Sequence, residues 1–216
     1  MKTMKTLFLG ALAMAMVLSA VATAGVFGAG KKGAKGAAAA PVPEADYSRV
    51  LGVTHAAGYY GFDPSVSFLE EGAQVLDEMG VKVVKLWLTG SATTNYPYNA
   101  DWSKFTVLNA VDLLKTDYYR NVLAMDFQTY IFEFHEFDLA SGAQTVSWEN
   151  GMSAAEKQAV EDLSYDVAKY LMTTYVGSGK NFVLQNWEGD NMVATNLSAY
   201  DEAKWNGFRD WIIARQ

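Results

Sequence analysis

The sequence predicts an α/β domain of parallel strands joined by crossover helices. Short apolar strands, polar loops and amphipathic helices alternate four times, from Val50 to Ala214. The clearest strand, Val81 to Leu88, is β-branched and nearly continuous in apolar residues, as strands covered on both faces are. The helix-to-strand returns are short, whereas the strand-to-helix loops are long. Two architectures satisfy this rhythm. One is four of the eight units of a TIM barrel, a fold of about 250 residues; the other is a small open doubly wound sheet.

Two segments precede the domain. Lys2 and Lys5, the apolar run Leu7 to Val17, and the small-x-small triplet Ala22-Thr23-Ala24 make residues 1–24 a secretory signal peptide, with the mature chain starting at Gly25. Secretion or transfer to the periplasm is expected, with no membrane attachment after cleavage. Residues 25–45 are rich in Gly, Ala, Lys and Pro and read as a disordered linker. Residues 46–216 form the domain. Five Lys and Glu44 lie in residues 1–45, so of 17 basic and 24 acidic residues 12 and 23 remain, a net charge of −11. That balance excludes nucleic acid as a partner, because phosphates require a basic footprint. The chain has no Cys, so an exported fold of this kind rests on its core, for which 50% hydrophobic residues provide the material.

The first strand is 50–55, followed by a Gly/Tyr/Pro loop and a helix over 65–79 with Gly80 at its C-terminal end. Val81 to Leu88 is the second strand. After a loop rich in Tyr, Asn and Thr, the periodicity of Phe105, Leu108, Val111, Leu113 and Leu114 predicts one helix over 102–119. The third strand spans 127–134. A helix from Ser153 to about Tyr175 follows, with Ser153 and Glu156 forming a capping box. The fourth strand is 181–186 and the fourth helix 198–214. Gly177-Ser178-Gly179-Lys180 echoes a phosphate loop, but Thr174 and Asn181 occupy the places of the required Gly and Ser/Thr, and the segment enters a strand instead of leaving one.

Polar residues at the C-terminal ends of parallel strands line ligand crevices. The segment Leu184 to Asn191 is the richest of these, with Asn186, Trp187, Glu188 and Asp190. Asn186 and Glu188 are two apart, so an extended backbone sets both on one face. A carboxylic acid protonates a glycosidic oxygen and Trp offers a flat face to a sugar ring; a solvated strand-ending turn is the plainer reading. In strand two, Val84, Leu86 and Leu88 take the helix-covered face, which leaves Lys85 and Trp87 on the other. A Lys buried there requires a carboxylate from strand three or four, Glu133 or Glu188, and Lys85→Met is expected to be milder than loss of that acid. A half-exposed sheet would instead let Lys85 snorkel. His55 closes strand one, as a substrate contact or a plain loop residue. Glu133 and His135 share a face, but with two His in the chain no metal and no other cofactor is expected.

Ser67 to Ala73 with Gly80 to Leu88 resembles the first βαβ unit of bacterial glycoside-hydrolase-like barrels. Gly179 to Asp190 resembles their fourth strand, and Trp211 to Gln216 the close of their fourth helix. The resemblance covers about residues 50–216 and implies a carbohydrate substrate. In the retaining glycosidases of this barrel, strand four ends in Asn-Glu and that Glu is the acid/base. The resemblance therefore gives Glu188 this role and Asn186 a sugar contact, although here Trp187 separates the two; Trp187, Trp87, His55, Lys85 and Asp190 are the further substrate-binding candidates, from their own places on or beside the strand ends. The family's nucleophile follows strand seven, so a chain of four units is expected to be an incomplete catalytic domain, inert alone and self-associating through open sheet edges. The alternative is a non-catalytic domain that binds carbohydrate or a cell surface.

Overall fold

The computed structural model describes residues 51–56, 63–107, 109–136, 150–186, 193 and 201–216. The segments expected to be signal peptide and linker, and Trp187, Glu188 and Asp190, lie outside the described residues. The domain is α/β. Its four strands, β1 (Gly52–His55), β2 (Val83–Leu88), β3 (Thr129–Phe134) and β4 (Asn181–Asn186), form an all-parallel sheet in the order β1-β2-β3-β4.

The unreversed order has a consequence for layering. Crossovers between parallel strands are right-handed, so stepping always in one direction lays every helix on the same side of the sheet. A doubly wound sheet reverses its order at a switch point; none occurs among the described strands, an order that suits four consecutive barrel units and is also compatible with part of an open sheet. Helix contacts agree. Helix α1 (Phe68–Glu78) packs on β1 and on α4 (Asp117–Ala124), α3 (Ala110–Leu114) on β2 and α5 (Ala154–Thr174), and α5 on α6 (Glu202–Ala214). Register extends the pattern across the sheet. Val84, Tyr130 and Phe182 form one row, and Leu86, Phe132 and Leu184 the next. These rows meet Leu69, Ala73, Leu113, Val122, Val167 and Leu171 in one apolar core, with Tyr130, Phe132 and Phe182 stacked at 5.9–6.4 Å. Val84, Leu86 and Leu88 are fully buried, while Val83, Lys85 and Trp87 on the other face are only partly so.

Caps set the helix boundaries. Ser67 accepts from Glu70 N ahead of α1, and Gly80 beyond its end takes φ +80°, the left-handed region glycine favours. The Ser153–Glu156 capping box forms, with Ser153 N donating to Glu156 Oε2 at 2.8 Å and Glu156 N to Ser153 Oγ at 3.2 Å. Asp201 caps α6 through Ala203 N and Lys204 N.

The single helix expected over 102–119 is not observed. A 3₁₀ turn (Trp102–Lys104), α3 and α4 replace it, and a short α2 (Ala92–Asn95) occupies the preceding loop. Asn109 Oδ1 accepts from Val111 N and Asp112 N, and Thr116 Oγ1 accepts from Tyr119 N while donating to Leu113 O. Asn109 starts α3, while Thr116 closes α3 and starts α4. Apolar spacing runs on through such breaks, because Leu113, Leu114, Tyr118 and Tyr119 face the same core from different helices.

The Gly-Ser-Gly-Lys run is a turn into β4, with Gly177 and Gly179 at φ 75° and 74°. Lys180 Nζ donates to Met125 O at 2.6 Å, Phe127 O at 3.2 Å and Tyr130 Oη at 3.3 Å, and so closes the N-terminal end of the sheet. Its role is structural.

Candidate functional site at the C-terminal end of the sheet

The face turned away from the described helices carries Val83, Lys85 and Trp87 on β2, Thr129, Ile131 and Glu133 on β3, and Asn181, Val183 and Gln185 on β4. Toward the C-terminal ends of the strands, Trp87, Glu133 and Gln185 stand side by side in one row. Lys85, one row below on β2, reaches diagonally to Glu133 and forms an ion pair through Nζ and Oε2. Lys85 thus faces the non-helical side and pairs with a strand-three acid, as its position between Val83 and Trp87 implied.

The two partners differ in depth. The side chain of Glu133 is 2% exposed and that of Lys85 21%. The carboxylate is therefore the desolvated member, and Lys85 is its neutralising partner. This reverses the expected ranking of the two substitutions. Loss of Lys85 strands a buried anion, whereas loss of Glu133 leaves an ammonium with a route to water. Glu133 Oε1 is buried and finds no hydrogen-bond donor among the described residues. An acceptor left unmade in the interior costs about 1–3 kcal/mol, so it is a vacancy for a donor.

A second polar cluster lies on the helix side. Glu136, just after β3, accepts from Trp211 Nε1 at 2.9 Å and pairs with Arg215 Nη1 at 3.1 Å. Arg215 also donates from Nε to Asn186 Oδ1 at 2.8 Å and from Nη2 to Phe134 O at 3.0 Å, and its guanidinium lies 3.9 Å over the Phe134 ring. Burial pushes its pKa down to about 10, against the pull of Glu136, so it stays charged at neutral pH. Here the network bolts α6 to the ends of β3 and β4.

The structure thus separates the sequence candidates. Lys85 and Trp87 lie together on the face turned away from the described helices, with Glu133 and Gln185 beside them. Asn186 shares the helix-covered face with Phe134, and its carbonyl is held by Arg215. His55 is also on that side. Its ring packs against Phe68 and Tyr96, and Nε2 lies 3.0 Å from Phe68 O and 3.1 Å from Leu69 O. Carbonyls only accept, so Nε2 carries the proton. Burial lowers the pKa of this imidazole and favours the neutral ring. Its plain structural reading is the one this geometry favours.

Sequence reasoning singled out Asn186 and passed over Gln185, its neighbour. The alternation already used for Lys85 and Trp87 was the available signal, but relating the two strands required the register Trp87↔Glu133↔Gln185. Tyr96 went unnoticed as well. Fully buried, its hydroxyl donates to His55 O at 2.8 Å and accepts from Trp87 N at 3.0 Å, bridging β1 and β2 where their ladder ends. Tyr119 Oη donates to Trp87 O. The main chain beneath Trp87 is thus fixed on both sides. Among the described residues no group of three or more His, Cys, Asp or Glu gathers as metal ligands, and no helix is long and apolar enough to cross a membrane.

Comparison of the chain with protein-family models, curated proteins and solved structures finds no match.

Proposed function

We propose that this chain is an exported, glycoside-hydrolase-like protein directed at carbohydrate, with the C-terminal half of the sheet face turned away from its described helices as the binding surface. One observation supports this most directly. An aromatic ring, a buried carboxylate with an unmade acceptor, an ammonium and an amide (Trp87, Glu133, Lys85 and Gln185) occupy neighbouring positions there. Sugars present apolar ring faces and hydroxyls that both donate and accept, and such a set answers both. In parallel α/β folds this is also the end of the sheet where ligands bind.

In this reading Glu188 supplies the acid/base of a retaining mechanism. That mechanism requires a second carboxylate about 5–5.5 Å away, and Glu136, tied to Arg215 and Trp211, is committed elsewhere. The test has two stages. Affinity electrophoresis of the secreted protein through gels containing soluble polysaccharides should retard it with at least one of them, and retardation by none overturns the proposal. Assays on aryl glycosides and polysaccharides then separate enzyme from binder, since turnover abolished in Glu188→Gln identifies a hydrolase.

A further inference from the structure

We propose that two copies of this chain join edge to edge, β4 of one beside β1 of the other, and close an eight-stranded barrel whose mouth both copies line. The inference stands apart from the carbohydrate-directed reading above. Val53, Val84, Tyr130 and Phe182 share one row on the helix side of the sheet. The two middle residues are fully buried, whereas Val53 and Phe182 at the ends are only half-buried. The next row fades in the same way at β4, where Leu184 is half-buried beside fully buried Phe132. On the other face Val183 is 45% exposed. At the opposite edge Leu51, just ahead of β1, is 58% exposed, and Val75 and Met79 are exposed on α1, the helix that packs on β1. Apolar surface is therefore left open along both edges.

Neither edge is defended. Edge strands ordinarily carry Lys, Pro, an inward charge or a bulge that keeps other chains off. β1 reads Gly-Val-Thr-His and β4 Asn-Phe-Val-Leu-Gln-Asn, without Lys, Arg, Asp, Glu or Pro, and each pairs with its neighbour in continuous register. Among the described residues no strand occupies the outer side of either. A second copy offers each edge the one it lacks. Every pair in the sheet is parallel and the order is unreversed, so a partner's β1 laid beside β4 in the same sense extends the sheet by its own rule. It also brings the half-buried Phe182 toward the partner's Val53. Pairing β4 with the partner's β4 would instead run antiparallel and leave both β1 edges open. A head-to-tail join grows into a fibre unless its rotation closes. Eight parallel strands with helices outside do close, so two copies about a twofold axis satisfy all four edges. The Lys85–Glu133 pair, already neutralised within one copy, enters the interior without leaving a charge unmatched. The C-terminal mouth then carries Trp87, Glu133 and Gln185 twice, and a ligand there meets both copies.

Sedimentation velocity and multi-angle light scattering of the purified chain test this. The wild-type protein is expected to have twice the monomer mass, with no larger assembly. Val183→Lys and Leu51→Lys place a charge at opposite edges, at positions already exposed within one copy. Each is expected to keep the wild-type near-UV circular dichroism and to weaken dimerisation at least ten-fold. A wild-type monomer overturns the proposal, and so do assemblies that grow past two copies. A dimer that responds to only one of the two substitutions overturns it as well, since a β4-to-β1 join needs both edges. A dimer unmoved by either places the contact on another surface and overturns it too. None of these outcomes touches the carbohydrate reading, which affinity electrophoresis tests separately.

Discussion

Arg215 follows directly on α6, and helix ends ordinarily fray. The structure makes it instead one of the most consequential side chains in the domain. It and Glu136 are each 4% exposed, so Arg215→Met leaves a buried carboxylate whose remaining described hydrogen bond comes from Trp211 Nε1. Removing one member of a buried pair costs about 3–5 kcal/mol. The released Asn186 Oδ1 and Phe134 O add to that unless water reaches them. An exposed ion pair at a frayed helix end would contribute only about 0–1 kcal/mol. The two cases are well separated in a thermal scan. For a domain of this size each kcal/mol moves Tm by about 2–4 °C, so the expected drop is roughly 6–20 °C. Circular dichroism of the purified protein at pH 7 measures it. The double variant Glu136→Leu/Arg215→Met should recover part of the loss, because it removes both charges together. A drop below about 2 °C for Arg215→Met refutes the buried network and with it the docking of α6 on the strand ends.

Four further outcomes follow from the same geometry. A Cβ at Gly72 would lie 2.7 Å from His55 Nδ1 and closer still to Cε1; Gly72→Ala should therefore lower Tm, the overlap of about 1–3 kcal/mol outweighing a helix-propensity gain of up to about 1 kcal/mol, and an unchanged or higher Tm would show that α1 does not press on β1. Lys85→Met should destabilise more than Glu133→Gln, since it leaves the deeper charge unpaired; urea unfolding ranks the two, and the opposite order refutes the depth argument. Burial lowers the pKa of both His55 and His135 below 6.5, so below about pH 6.5 the unfolded chain takes up protons that the folded one resists. Stability should therefore fall on acidification, by up to about 1.4 kcal/mol per pH unit for each imidazole. A Tm that is flat or rising from pH 7.5 to 5.5 contradicts this. N-terminal sequencing of the exported protein should begin at Gly25, because Ala22 and Ala24 suit the signal peptidase, and material starting at Met1 would exclude cleavage.

The strands and long helices were legible because their signals are local. Val81 to Leu88 reads as a covered strand from its own composition, and the Ser153–Glu156 box marks a helix start within four residues. The break-up of 102–119 was legible in principle, since Asp101, Asn109 and Thr116 are all cap formers. The apolar periodicity concealed it by supplying core residues from three helical pieces as though from one. The opposite orientations of Lys85 and its flanking Val84 and Leu86 came from alternation alone.

What the sequence determined by itself is therefore the class of the fold, the alternating faces of each strand, and the need of Lys85 for an acid. Alternation is a property of one strand, and a lysine's requirement for a partner follows from its charge. Which acid that is, which of Gln185 and Asn186 stands beside it, and which of the two partners is the buried one were decided only by tertiary structure. Those answers depend on the register of β2 against β3 and β4, and a register shift of one residue exchanges the two faces of a strand. The roles of His55 and Arg215 likewise arise from distant approaches, His55 Nε2 to the Phe68 and Leu69 carbonyls of α1 and Arg215 to Glu136 across much of the chain. No local pattern encodes such meetings, because they are made when the helices settle on one face of the sheet.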